Sequence, residues 1–206
     1  MNMTTRSPAD SGFLGRLRGL LCDRRGVAAV EFALIAPVLL SLYLMTMEVS
    51  QGIEANKKVG RIGSMVADLV TQNQSIKKVD LEAIMQIGGA IVQPYSRSQP
   101  SVRVVAIQIT DEENPKAKVA WSRQMIGDTF SKVANEGTEV EVPEKLKIRN
   151  TFLVRVTGEL DYRPVIAWTA EEKASLGLAA AFDNIAMSET YYLRPRMSPT
   201  IVCEGC

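Results

Sequence analysis

The longest apolar run in this chain lies near its beginning. From Val27 to Val49 the residues are apolar apart from Glu31, small hydroxyl residues and the closing Glu48. At about 1.5 Å per helical residue, such a run covers roughly 30 Å, which is the thickness of the hydrocarbon core of a bilayer. The pattern therefore predicts one transmembrane helix over residues 27–49.

Apolar residues continue at helical spacing after this run. The residues that share one helix face are Ile62, Met65, Val66, Leu69 and Val70. This spacing predicts that the helix extends outward and packs this face against the rest of the chain. Gly52, Gly60 and Gly63 argue against a rigid rod, because each glycine costs about 1 kcal/mol relative to alanine in a helix interior.

The remainder of the chain has a second helical pattern followed by strand patterns. The second helix is predicted over Asp80–Val92, with Asp80 as its N-terminal cap. Alternating residues predict four strands, at Val102–Thr110, Ala117–Gln124, Phe152–Tyr162 and Glu189–Pro195. The first two are expected to form a hairpin across a turn-rich segment. Helices that precede strands indicate an α+β fold, with the outward-extended transmembrane helix and the second helix followed by a small antiparallel β-sheet.

Two segments lack a clear periodicity. Residues 121–147 are mixed and polar with several turn formers, and we interpret them as a loop-like insertion on the exposed side. Residues 170–181 fit either a short helix or a mobile loop. Loops on a rigid scaffold commonly carry binding sites, but no ligand is identified by these residues.

Charges around the apolar run predict its orientation. The basic residues that lie shortly before it include Arg16, Arg18, Arg24 and Arg25. The positive-inside rule places this flank in the cytoplasm, although Lys57, Lys58 and Arg61 argue weakly for the reverse. We therefore expect a single-pass inner-membrane protein with a cytoplasmic N-terminus and residues 50–206 as an exported, periplasmic or extracellular α+β domain.

Composition excludes several classes of function. The net charge is +1, from 24 basic and 23 acidic residues, so no overall field favours nucleic acid as a partner. The chain has no histidine, which removes the usual general base near neutral pH and the commonest zinc ligand. No motif organises the remaining lysines, carboxylates and thiols into a catalytic site. We expect no enzyme activity, no cofactor and no metal.

Glu31 is the anomaly within the predicted transmembrane helix. An ionised carboxylate there costs about 2.5–3.5 kcal/mol on insertion scales and is functional by default. If the chain were cut between Gly26 and Val27, the new α-amino group would lie one helical turn before Glu31, on the same face. The amine would neutralise the carboxylate within one chain or between neighbours, which matters because an unpaired buried ion is strongly unfavourable.

The residues around this position resemble a known family. Arg24–Leu40 reads RRGVAAVEFALIAPVLL, which is similar to the opening of TadE/TadG-like minor pilins of the tight-adherence (Flp, type IVb-like) pilus system. The resemblance implies that a prepilin peptidase cuts after Gly26, that Val27 becomes the mature N-terminus, and that Glu31 and Phe32 serve in recognition and assembly.

The same resemblance implies a function and partners for the whole chain. Residues 1–26 would be a cytoplasmic leader, and the product would be a pseudopilin needed for assembly of a thin adhesive pilus. Its partners would be the prepilin peptidase, other pilins and pseudopilins, the inner-membrane assembly platform and the lipid bilayer, and the subunit would be a candidate for incorporation into the pilus.

Two other interpretations of the N-terminal segment stay open at this point. An ordinary secretory signal has an apolar core of about 7–15 residues that ends at a small-x-small cleavage site, and this core is longer. An uncleaved anchor, with Glu31 reaching the nearby interface, has the same topology and keeps its N-terminus. It would serve as a periplasmic adaptor of another envelope or secretion machine.

The C-terminal tail contains a CxxC pair and two arginines. In an oxidising compartment Cys203 and Cys206 would close a small disulfide loop, and Cys22 would be lost with the leader. A catalytic thiol pair would sit at a helix N-terminus, which a disordered chain terminus does not offer. Arg194 and Arg196 fit either an ion pair with a partner's carboxylates or solvated edge charges.

Overall fold

A computed structural model describes residues 26–91, 98–164 and 185–206. Its elements are, in order, α1 (Val27–Thr71), β1 (Ser75–Lys77), α2 (Lys78–Ala90), β2 (Ser101–Ile109), β3 (Ala117–Ile126), β4 (Thr129–Ser131), a 3₁₀ turn (Glu144–Leu146), β5 (Phe152–Tyr162), β6 (Ile185–Leu193) and β7 (Val202–Glu204). The predicted α+β class is confirmed, since a long apolar helix and a second helix precede an antiparallel sheet of five strands.

The chain forms two compact units, Met1–Met47 and Glu48–Cys206. In the first unit the described residues belong to α1, which runs through Pro37 without a break. The hydroxyl groups of Ser41 and Thr46 donate to backbone carbonyls one turn earlier in the helix, at 2.8 Å each. These two hydroxyl groups are therefore satisfied within the helix, as a lipid environment requires.

The five-stranded sheet of the second unit has the order β4-β3-β2-β5-β6, and every neighbouring pair is antiparallel. The predicted hairpin is confirmed as β2–β3, with a register shift between Ala106 and Ile107. Strand β6 begins at Ile185 and ends at Leu193, so it starts earlier and ends earlier than the strand expected from the sequence. The segment 170–181 lies outside the described residues.

The interpretation of residues 121–147 as a loop-like insertion was wrong in part. This segment contains the second half of β3, the short strand β4 and the 3₁₀ turn, and Trp121 is only 8% exposed. Val142 and Leu146 cover an apolar cluster on one sheet face, which includes Val105 and Ile107. The sequence did not indicate this packing role, because the segment is mostly polar and only a few of its apolar side chains complete the cluster.

Helices α1 and α2 contribute to the main core together with the strands. The predicted helix face is largely confirmed, since Ile62, Val66 and Val70 are fully buried. Met65 was assigned to the same face but is exposed, and Leu69 is half-buried. The buried residues that join the helices to the sheet include Leu81, Met85, Val102, Val104, Val154 and Val156.

Glycines in α1 and α2 mark places of close approach and do not interrupt the helices. A Cβ atom on Gly63 would lie 2.7 Å from the ring of Tyr191, and one on Gly60 would lie 3.0 Å from its hydroxyl. A Cβ atom on Gly88 would lie 2.8 Å from Val66 and 3.0 Å from Ile62. Tertiary contacts therefore explain why glycine occurs at these positions, which the sequence alone marked only as unfavourable for a rigid helix.

Replacing Gly88 with alanine is expected to destabilise the protein by about 1–3 kcal/mol, because two stiff, β-branched core side chains would have to move. Replacing Gly52 with alanine is expected to stabilise the protein by up to about 1 kcal/mol, because alanine has the higher helix propensity. The nearest atom to a Cβ there is 3.8 Å away, on Tyr162. Chemical denaturation of the purified full chain measures both, and stabilisation by Gly88→Ala would contradict the tight packing.

The N-terminus of α2 differs from the prediction. The N-cap is Lys77, which makes no side-chain capping bond, and Asp80 lies within the first turn. The assignment of Asp80 as the cap was wrong because β1 leads directly into the helix, which begins at Lys78. An acidic side chain in the first turn remains favourable to the helix dipole. Helix α2 ends at Ala90, and the predicted end at residue 92 lies outside the described residues.

The C-terminal tail is ordered, against the expectation of a disordered terminus. Strand β7 pairs in parallel with β1, with Ile76 opposite Cys203. Ile201 is buried, and its carbonyl accepts a hydrogen bond from Trp121 Nε1 at 2.7 Å. The backbone N–H of Arg196 donates to the carbonyl of Thr71 at 3.0 Å. The tail is therefore part of the fold and holds the end of α1.

Candidate functional site

The expected cleavage position lies at the N-terminal boundary of α1. Gly26 immediately precedes the helix, and a Cβ atom built on it meets no atom within 4 Å. Val27, the first helical residue, is 47% exposed. Among residues 26–91, 98–164 and 185–206, no side chain therefore packs beside Gly26 at the peptide bond that joins it to Val27.

Glu31 and Phe32 follow within the first turns of the same helix. Both side chains are exposed, Phe32 by 71%. Glu31 is the only charged residue between Val27 and Met47. Residues four apart in a helix are neighbours on one face, so Val27 and Glu31 lie on the same side of α1. The structure thus brings together the four residues that the sequence singled out here.

A second polar contact lies just beyond the apolar segment, and it was not found from the sequence. The hydroxyl of Tyr162 donates to Glu48 Oε1 at 2.8 Å, across 114 residues of sequence. Further along the helix, Glu54 and Lys58 form an ion pair at 3.4 Å. The carboxylate of Glu48 is thereby held by the end of β5, a contact that no local pattern indicates.

The two C-terminal cysteines lie far along the chain from the cleavage position, in the second unit. Cys203 and Cys206 are joined as a disulfide, with their Cα atoms 5.6 Å apart. Both are half-buried and pack against the main core. Arg196 pairs with Asp68 of the same chain at 2.8 Å, whereas Arg194 is exposed. The ion pair expected for Arg196 was with a partner's carboxylates, whereas the pair observed here lies within the chain.

The described ranges offer little that would support chemistry. They contain no group of three or more metal-ligating side chains placed to hold an ion. A cavity of about 540 Å³ lies beside the C-terminal tail, and its wall includes Trp121, Lys132, Glu136, Phe152 and Cys206. At the start of α1 the side chains of Val27, Glu31 and Phe32 are exposed, and they include no acid–base pair.

These features define a class of protein. Helix α1 is long and apolar enough to cross a membrane, with a mean hydropathy of 2.2 and no buried residues over an 18-residue window. It carries an α+β unit at its C-terminal end. The described part of the chain thus combines a helix that could span a membrane with a folded domain.

The family follows from a comparison of the sequence. Residues 26–60 match the family model described as TadE-like protein. The predicted resemblance is confirmed, and the N-terminal segment is that of a TadE-like protein, consistent with a pilus protein of the Tad system. The match begins at Gly26 and ends within α1, so residues 61–206 lie outside it. No curated protein and no solved structure matches the chain significantly.

Proposed function

We propose that this protein is a pseudopilin-like minor component needed for assembly of a tight-adherence pilus, with a structural role and no catalysis of its own. The observation that carries the proposal is the TadE-like match, which starts at Gly26, the residue that immediately precedes α1. The proposed partners are a prepilin peptidase, other pilins and pseudopilins of the Tad system and the inner-membrane assembly platform.

Processing after Gly26 would give Glu31 a partner. The new α-amino group of Val27 is a cation one helical turn from the carboxylate, in the same chain or in a neighbour. Pairing would allow the apolar helix to leave the bilayer and pack among other helices, since neither charge would be buried alone. Most of the exposed side chains along residues 27–47 are apolar. This composition is consistent with a surface that lipid or other subunits cover.

The proposal is tested by the mass and N-terminal sequence of the protein recovered from its native membrane, measured with and without reductant. A chain that begins Val-Ala-Ala-Val-Glu is the expected result. The mass difference on reduction reports whether Cys203 and Cys206 are paired in the exported domain, which is expected in an oxidising compartment.

The alternative function is an uncleaved, membrane-anchored periplasmic adaptor of another envelope or secretion machine. The observation that favours it is the same membrane-capable helix, which would serve as an anchor without any processing. A recovered chain that retains Arg24 and Arg25 would select this alternative and remove the proposed role of Glu31.

Replacing Glu31 with alanine is expected to leave cleavage intact and to reduce pilus assembly strongly, because the mature amine would enter the assembly unpaired. Immunoblots of membrane and sheared surface fractions measure processing and assembly separately. Glu54→Ala is the matched control, since it removes a carboxylate of the same helix that is 60% exposed and lies beyond the apolar run. Normal piliation of the Glu31→Ala strain would show that the charge pairing is wrong.

A further inference from the structure

An apolar cavity lies where the second unit begins. It has a volume of about 400 Å³ and is bounded by α1, the end of β5 and the start of β6. Its apolar wall consists of Val49, Gly52, Ile53, Pro164, Ile185 and Met187. The volume falls within the range of natural ligand pockets, about 300–1,000 Å³. Of this wall, Ile53 is 54% exposed and Ile185 is 42% exposed, so the cavity is open as far as the described residues bound it.

Four residues with polar side chains also line this cavity, and they are called its border: Glu48, Asn56, Lys57 and Tyr162. Glu48 accepts the hydrogen bond from Tyr162, which keeps that carboxylate bound to the protein. Asn56 and Lys57 complete the border, and Lys57 is exposed. The lining is therefore mostly apolar and includes one cation, which is the chemistry that an acyl chain and an anionic headgroup would fit.

The position of the cavity along α1 is that of a membrane interface. Val49 ends the apolar run, and at about 1.5 Å per residue Ile53 follows roughly 6 Å later and Lys57 roughly 12 Å later. The headgroup layer extends about 5–8 Å beyond the hydrocarbon core. If residues 27–49 span the membrane, Ile53 would lie at headgroup depth, and the side chain of Lys57 is long enough to reach back toward phosphate.

We propose that this cavity binds one acyl chain of a membrane phospholipid, with the ammonium group of Lys57 on the lipid phosphate. Lipid is favoured over a protein segment as the occupant for two reasons. The wall continues into the apolar run at Val49, and the border includes a cation. The inference goes beyond the proposed function, because it rests on membrane anchoring and not on leader processing or pilus assembly.

The test uses the full chain in vesicles of phosphatidylethanolamine and phosphatidylglycerol whose acyl chains are brominated near the headgroup. Ile185→Trp and Ile53→Trp each place an indole at the cavity, and bromine quenches indole fluorescence on contact. Both are expected to lose most of the added emission in brominated vesicles. Ile148→Trp is the matched control, since Ile148 is 47% exposed and lies beyond the other end of the sheet.

Each outcome decides the proposal. Quenching of both cavity variants above the control supports a bound lipid, and the parent chain corrects for Trp121 and Trp168. Quenching no greater than the control would overturn it. If the indole is protected from bromine more strongly as the protein-to-lipid ratio rises, the occupant of the cavity is a second copy of the chain. If the protection does not depend on protein concentration, the occupant is a part of the same chain. Either result would overturn the lipid assignment.

A charge variant tests the headgroup contact separately. Two vesicle preparations are compared, each with bromine on only one of the two lipids. For Ile185→Trp, brominated phosphatidylglycerol is expected to quench the fluorescence more strongly than brominated phosphatidylethanolamine. Addition of Lys57→Gln is expected to abolish that preference, whereas Lys145→Gln, which removes an exposed lysine elsewhere, is expected to leave it unchanged. A preference that persists without Lys57 would remove this residue from the site.

Discussion

Replacement of Gly26 with leucine is expected to abolish removal of the leader, so that the protein accumulates at its full length. The physical reason is access, because a peptidase must approach the backbone on both sides of the bond it cuts, and glycine leaves that space open. The fold itself should not respond, since a Cβ atom at Gly26 meets no atom within 4 Å. Intact mass of the membrane-extracted protein measures the effect.

The control for this variant adds the same bulk elsewhere in the helix. Ala33 is exposed in the apolar segment, so Ala33→Leu changes neither the cleavage position nor a packed core. It is expected to be processed as the parent is. Efficient cleavage of the Gly26→Leu chain between residues 26 and 27 would contradict prepilin-type processing, because it would show that the bond is cut without the open glycine.

Replacement of Glu82 with alanine is expected to lower the free energy of unfolding by about 3 kcal/mol, since removal of one partner of a buried ion pair leaves an uncompensated charge. Glu82 on α2 accepts hydrogen bonds from the Nε and a terminal nitrogen of Arg123 on β3, the first at 2.9 Å. Arg123 is only 8% exposed, so water cannot replace the lost carboxylate. Chemical denaturation of the purified chain measures the change.

Two further variants separate the buried charge from the surrounding packing. The double variant Glu82→Leu with Arg123→Leu removes both charges and is expected to recover most of the lost stability, because apolar replacements of buried ion pairs are often neutral. Asp111→Ala breaks an exposed pair with Arg149 and is expected to change stability by less than about 1 kcal/mol. Equal losses for Glu82→Ala and Asp111→Ala would contradict the buried-pair account.

Local patterns in the sequence were sufficient for the main elements, and they alone selected the candidate residues at the N-terminus. The apolar run after Gly26 predicted a membrane-capable helix, and alternation predicted β2, β3 and β5 closely, because helix and strand periods depend on neighbouring residues. Glu31 was found from the sequence for a similar reason, since one carboxylate stands out within an apolar segment. The resemblance that named the family also rests on consecutive residues.

Only the tertiary structure decided which distant residues meet. Tyr162 reaches Glu48 across 114 residues, and Trp121 reaches Ile201 across 80. Strand β7 pairs with β1, so the end of the chain contributes to the core, which the tail sequence did not indicate. The physical reason is that a hydrogen bond or a close glycine contact depends on where the fold places both partners, whereas helix and strand periodicity is a property of each segment by itself.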